Sequence, residues 1–236
     1  MELKSKGVEV GRCKVRRLMR EQGLRAISPK RFVPQTTDSR HDKLVSPNLL
    51  KEEGRSIFSW GRVIVGDITY LPLRNGKWCY LAMFQDKVTR RIVGWKISAR
   101  MTADLVTEAL RSGLRRGLIK RGAIVHTDRG SQYVSGEYRR LLAQTGLRQS
   151  MSGRGNCYDN AQAESFFSRF KTEMVEGGVF ETAVEARSES FSYIEGYYNR
   201  IRLHSSLDYK SPMEYERELK LNERRSGRES FVSTFS

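Results

Sequence analysis

Apolar and β-branched residues gather in three short blocks in the second quarter of the chain: RVIVGDITYLPL (62–73), WCYLAMFQ (78–85) and RIVGWKIS (91–98). This composition favours strands. Arg74-Asn75-Gly76-Lys77 separates the first pair, and Asn-Gly is the strongest short hairpin signal. Asp86 to Arg90 forms a second short turn, so the three strands make an antiparallel meander. The period then lengthens. Over 102–116, Leu105, Ala109 and Leu110 share one helical face, with Thr102 as N-cap, Asp104 in the first turn and Gly117 after the end. A fourth strand follows at 122–127, a helix at 135–145 closed by Gly146, and a short fifth strand at 147–151. The loop SGRGNCYDN leads into a long helix from about Asp159 to Glu173.

The order β-β-β-α-β-α-β-α predicts an α/β fold: a mixed five-stranded sheet with helices on its faces. It is the element order of the ribonuclease-H-like fold. Ahead of it lies a short helical segment, VEVGRCKVRRLMREQ (8–22), with Val8, Val15, Leu18 and Met19 on one face and Arg12, Lys14, Arg16, Arg17 and Arg20 around the others. Gly23 ends it. Such a helix suits the last helix of a helix-turn-helix unit or a solvated amphipathic helix. The helices expected before a recognition helix are absent, so residues 1–25 read as a partial DNA-binding segment. Residues 26–56, polar and carrying Pro29, Pro34 and Pro47, read as a linker. Residues 57–216 read as the main domain with a helical extension, and 217–236 as a disordered tail.

Charge narrows the function. The net charge is +16, and residues 1–62 supply half of it, with 15 Lys/Arg against 7 Asp/Glu. A polyanionic partner, nucleic acid above all, is the natural match for that excess, and a basic solubilising surface is the plain alternative. No apolar run approaches the roughly 18 residues of a membrane span. Cys13, Cys79 and Cys157 are odd in number and far apart, which fits neither a disulfide framework nor a zinc site and suits a reducing cytoplasm. His41, His126 and His204 show no ligand spacing, and His126 reads as a packed core residue.

Three carboxylates stand in unusual places. Asp67 interrupts the apolar run of the first strand, Asp128 ends the fourth, and Glu164 sits on the long helix. Aspartate is disfavoured inside strands. Singly, each has an ordinary explanation: Asp67 paired with an arginine, Asp128 as a turn residue before Arg129-Gly130, Glu164 as a solvated helix residue. Together they lie on the elements that would let them converge, and converging carboxylates bind hard divalent cations such as Mg²⁺. Two such cations about 4 Å apart activate an attacking oxygen and stabilise the leaving one at phosphorus. Lys171 lies seven residues, two turns, beyond Glu164 and is placed either for a phosphate or as a solvated lysine.

The stretches VGDITYLPL, HTDRGSQY, QSMSGRGNCYDNAQAESFFSRFKTE and YIEGYYNRIRLHSSLDYKSPMEYE resemble the catalytic region of bacterial insertion-sequence transposases of the OrfB type, whose core resembles retroviral integrase. The resemblance covers most of residues 58–216. It implies a DDE enzyme with Asp67, Asp128 and Glu164 as catalytic and metal-binding triad, 35 residues separating the last two, and Mg²⁺, with Mn²⁺ able to substitute, as cofactor. It implies cleavage at element 3′ ends and strand transfer during DNA transposition and integration. It places Lys171 as the basic residue seven places after the Glu and SMSGRGNCYDNA beside the active site, where Arg154 and Asn156 could meet phosphate and Asp159 or Asn160 cap the catalytic helix. Arg129, Arg200, Arg202, Arg16 and Arg17 complete the expected DNA contacts, while Tyr197, Asn199 and His204 belong to a region that either touches DNA or packs on the core. The expected partners are double-stranded element ends and target DNA, further copies of the chain on that DNA, and an upstream-frame DNA-binding protein. Two rivals stand beside this reading: a nuclease that cuts without joining, and a truncated, non-autonomous protein that binds element ends without completing transposition.

Overall fold

Five strands form one sheet in the order β3-β2-β1-β4-β5 in the computed structural model, which describes residues 7–8, 10–25, 45–54, 58–153, 161–174 and 179–232. The strands are β1 (Val63–Pro72), β2 (Trp78–Asp86), β3 (Ile92–Ser98), β4 (Ile124–Thr127) and β5 (Arg148–Met151). β1 to β3 are the expected antiparallel meander, with Ile64 opposite Asp86 and Pro72 opposite Trp78. Gly76, at φ 76°, makes the first hairpin turn at the Asn-Gly pair. β4 runs parallel to β1, and β5 parallel to β4.

The chain divides into two units, Met1–Phe32 and Val33–Ser236. In the first, α1 (Arg12–Glu21) is the predicted basic helix, shorter than the sequence reading by a few residues. Gly23 adopts φ 67° and donates to the Arg20 carbonyl, as a terminating glycine does.

In the second unit the sheet is covered on both faces. Alternation along β2 sorts its side chains: Ala82 and Phe84 join Ile64, Ile68, Leu105 and Tyr138 on one side, and Leu81 and Met83 join Leu71, Phe166, Phe170 and Ile194 on the other. The first side is covered by α3 (Ala103–Arg115) and α4 (Gly136–Thr145). α3 lies so close to β3 that a Cβ on Gly94 would collide with the Ala109 carbonyl. Thr102 stands at the N-cap of α3, but its side chain accepts no capping bond; the expected cap is positional only. Ser135 does cap α4, accepting from the Tyr138 N–H, and Gly146 closes it at φ 67°.

The other side is covered by α5 (Ala161–Met174), anchored by Phe166, Phe167 and Phe170, and by α6 (Ala183–Phe191), whose last turn runs into a π-helical turn, Ser192–Tyr198. Phe166 meets Tyr198 edge-on at 4.9 Å between ring centres. The expected caps Asp159 and Asn160 lie outside the described residues. α7 (Pro212–Val232) follows. Its Glu216 pairs with Arg91 at 2.7 Å, both side chains almost fully buried, and so ties the helix to the sheet edge.

Two segments differ from the sequence reading. Residues 217–232, expected as a disordered tail, continue α7. Residues 217–225 are mostly exposed on it, so their polarity is that of a solvated helix face. The end of the expected linker is also ordered. Residues 45–54 hold α2 (Leu49–Glu53), Leu50 is buried with Val63 and Ile124, and the Leu49 N–H donates to Ser150 Oγ at 3.0 Å. Pro47 lends its carbonyl to the Met151 N–H, which the edge strand β5 would otherwise leave without a partner there.

Candidate active site

The parallel register of β1 and β4 decides which acidic residues meet. Val65 pairs with His126, so two residues further on Asp67 comes level with Asp128. Both carboxylates, with Ile68, Met101, Gln132 and Tyr133, line one small cavity. Each is fixed locally. Asp67 Oδ1 accepts from the Ile68 N–H at 2.8 Å, and Asp128 Oδ1 from the Gly130 N–H at 2.9 Å. The turn role expected of Asp128 is therefore real, and it orients the carboxylate without removing it from the cavity.

Electrostatics ties the third acid to Asp67. Burial raises the Asp67 carboxyl well above the usual carboxylate range, the Asp128 charge raises it further, and Glu164 adds to this from α5. Lys171 opposes the rise. Its Nζ lies 4.4 Å from the centre of the Tyr70 ring, and burial lowers its own pKa while Asp67 raises it. Glu164 is exposed, and among the described residues no three His, Cys, Asp or Glu side chains are gathered tightly enough to hold a metal ion. The donor chemistry nonetheless suits a hard cation: the carboxylates of Asp67 and Asp128 line one cavity, and positive charge there relieves the repulsion that Asp67 feels from Asp128 and Glu164.

An integrase core domain family model matches residues 60–157, a second integrase core domain model matches residues 164–219, and an HTH-like domain model matches residues 1–32. The transposase of insertion sequence element IS904 from Lactococcus lactis is 40% identical over 215 residues, covering 91% of this chain and 84% of that protein. Transposase InsF of insertion sequence IS3A from Escherichia coli is 42% identical over 217 residues, covering 91% of this chain and 74% of that protein. The chain belongs to the insertion-sequence transposases. It is a DNA transposase built on an integrase core, and so a polynucleotidyl transferase. Solved structures agree on the fold. The catalytic core of BIV integrase superposes with a TM-score of 0.51 at 15% identity, covering 70% of this chain and 99% of that one. The HTLV-2 integrase core, solved with magnesium, gives 0.50 at 11% identity, covering 66% and 95%. A chain of the simian T-cell lymphotropic virus intasome gives 0.55 at 13% identity, covering 80% of the transposase and 60% of that chain.

The remaining expected DNA contacts of the transposase fall into separate groups. Arg129 is next to the acidic pair, its Nε donating to the Ser152 carbonyl at 2.9 Å. Arg16 and Arg17 are exposed on α1, Arg17 within 3.5 Å of Glu21. Arg154 and Asn156 lie outside the described residues. Arg200 is exposed, whereas Arg202 is mostly buried, 3.4 Å from Glu173. Asn199, in the stretch left open between DNA contact and packing, packs: it is fully buried, its Oδ1 accepting from the Ile92 N–H at 2.9 Å and its Nδ2 donating to the Ile92 carbonyl at 3.1 Å. His126 is a core residue as expected, fully buried with Nδ1 2.8 Å from Ser150 Oγ.

Sequence reasoning missed Tyr133. Its phenol is buried beside the acidic pair, and burial followed by the Asp128 and Asp67 charges makes it very hard to ionise. HTDRGSQY ends on this tyrosine, but without the fold nothing distinguishes it from a core aromatic. Also missed were Arg90 and Arg169, 79 residues apart, which share one cavity with Arg202.

Proposed function

We propose that Asp67, Asp128 and Glu164 are the acidic triad of a metal-dependent DNA strand transferase, with Mg²⁺ as its ion and Mn²⁺ able to replace it. The observation that carries this reading is the register that sets Asp67 level with Asp128, under a helix whose Glu164 charge Asp67 senses. A divalent ion held there supplies Lewis-acid stabilisation of charge at phosphorus and of the reacting oxygens. The chain's own residues supply the rest. β1 and the end of β4 hold two carboxylates rigidly, and Glu164 on the exposed face of α5 would be the third residue to hold the ion. Lys171, already attracted by Asp67, offers its ammonium to a phosphate oxygen. The buried, un-ionised Tyr133 walls the cavity and keeps bulk water from one side of the acidic pair.

The reaction is cleavage at the 3′ ends of the mobile element, followed by attack of those 3′-hydroxyls on target DNA. Contact with the reacting DNA falls to Arg129, Lys171 and Arg200 and, as the sequence resemblance implies, to Arg154 and Asn156. Residues 1–25, with Arg16 and Arg17, bind the element ends. More than one copy acts together, because two ends must be joined, and an upstream-frame DNA-binding protein is a further partner. Such a protein works on chromosomal DNA in the cytoplasm.

The test is incubation of purified protein with a labelled pre-cut element end, a target duplex and Mg²⁺ or Mn²⁺, beside Asp128→Asn. Joined products from the wild type, lost in the variant, support the reading. Cleavage without joining leaves a nuclease. DNA binding with neither reaction refutes strand transfer by this chain.

A further inference from the structure

A second cavity, of about 320 Å³, opens on the α5 side of the sheet. Arg90, Arg169 and Arg202 line it, one each from the β2–β3 turn, α5 and the segment after the π-helical turn. Gln162, Ser165 and Arg169 give it one wall, and at 100° per residue these lie on a different face of α5 from Glu164 and Lys171. The pocket is therefore distinct from the acidic site.

Three features suggest a ligand. First, two of the cations are short of partners: among the described residues neither Arg90 nor Arg169 forms an ion pair, while Arg202 reaches Glu173 at 3.4 Å and keeps its Nε buried without a hydrogen bond. The three guanidiniums nevertheless act on one point, since after burial it is Arg202, Arg90 and Arg169, in that order, that push the His204 pKa down to about 4. Second, Arg90 holds φ 62°, a left-handed turn position where glycine or asparagine is the low-cost choice. Third, Gln85 is 1% exposed and Gln162 partly buried, and the Oε1 of each lacks a donor. The Gln85 amide cannot simply be turned over, because its Nε2 donates to the Arg90 carbonyl at 3.0 Å and to Tyr198 Oη at 2.9 Å.

A bare anion would satisfy the arginines but set its lone pairs against two carbonyl oxygens. A ligand with an anionic group and an amino edge satisfies both. We infer that this cavity is a nucleotide pocket, taking a phosphate on Arg90, Arg169 and Arg202 and the amino edge of a base on Gln85 and Gln162, with Phe166 and Tyr198 as its ring-bearing walls. Its volume lies in the range of small-ligand sites. That the nucleotide belongs to a DNA strand, unstacked and turned into the protein, rests on the transposase reading; the pocket itself does not.

The experiment is fluorescence anisotropy with the full chain and a labelled single-stranded hexanucleotide, in EDTA and at fixed ionic strength. The competitors are deoxyadenosine monophosphate, deoxyribose 5-phosphate and inorganic phosphate. Arg169→Ala removes an exposed guanidinium, and Arg90→Gly removes another while suiting the positive φ, so both variants should fold. Each should weaken hexanucleotide binding about tenfold, the usual scale for losing a charge-assisted contact. Arg115→Ala, which removes an exposed guanidinium of α3 on the other side of the sheet, should bind within about twofold of wild type, because this pocket does not use it. Deoxyadenosine monophosphate should compete at least about tenfold better than inorganic phosphate, an amino-edge preference of the size of one buried hydrogen bond to a fixed acceptor. Unchanged binding in both arginine variants overturns the pocket, and equal competition by phosphate and nucleotide overturns the base contact. Mononucleotide binding seen by calorimetry without hexanucleotide binding in the anisotropy assay supports the pocket but overturns DNA as its source. None of these outcomes depends on strand transfer, so failure here is distinguishable from failure of the catalytic reading.

Discussion

Asn199 offers the sharpest quantitative test, because the stretch that contains it has two competing explanations. β3 is an edge strand, and Ile92 opens it. Both backbone polar groups of Ile92 are met by one buried side chain, Asn199, at 2.9 and 3.1 Å. Asn199→Ala leaves a buried N–H and a buried carbonyl without partners, each costing about 1–3 kcal/mol, so a loss of roughly 3 kcal/mol follows. For a unit of this size that lowers Tm by about 6–12 °C. Asn199→Asp should lie lower still at neutral pH, since it keeps the acceptor but loses the donor and brings in a buried charge. Urea unfolding followed by circular dichroism measures both, and DNA affinity is read separately on the folded fraction. Asn199→Ala within 0.5 kcal/mol of wild type, with DNA affinity reduced instead, would refute the packing argument and return the residue to the DNA interface.

Three further predictions follow from the same geometry. Asp67→Asn removes the charge that Asp128 and Glu164 oppose, so it should raise Tm in metal-free buffer while abolishing strand transfer; wild type should gain Tm on adding Mg²⁺ and the variant should not, as differential scanning fluorimetry will show. Glu216→Ala strands Arg91 in a nearly dry environment and should cost about 3–5 kcal/mol, with α7 losing its tie to β3, seen as faster amide exchange along 212–225. His204, held at about 4 by burial and three arginines, takes up its proton in the unfolded chain first, so its contribution is intact above pH 6.5 and lost progressively as pH falls toward 4. Discounted for its partial exposure, the difference between wild type and His204→Gln should shift by about 1 kcal/mol between pH 7 and pH 5; a flat difference would show that the arginines do not reach the ring.

Much of the sheet was legible because its signals are local. Asn75-Gly76 specifies a tight hairpin whatever surrounds it, and Leu105, Ala109 and Leu110 mark a helix by spacing alone. The acidic residues were visible for the same reason: an aspartate inside VIVGDITY breaks a local rule. The C-terminal third was harder to read. LNERRSGRES has the composition of a solvated tail, yet α7 continues through it. Pro47 and Leu50 looked like linker residues because nothing nearby in sequence shows that β5 needs a cover.

The sequence by itself determined the order of the five strands and of α3 to α5 among and after them, the basic charge and the three carboxylates, since each depends on a residue and its near neighbours. Tertiary structure alone decided which of them meet. Asp67 and Asp128 are 61 positions apart, and only the parallel register of β1 and β4 sets them level. Arg90, Arg169 and Arg202 read as ordinary surface charge until the turn, helix and C-terminal segment fold around one cavity. Charge is additive along a chain, but fields and cavities depend on distance in space, and that is created only when the sheet closes and α5 packs across it.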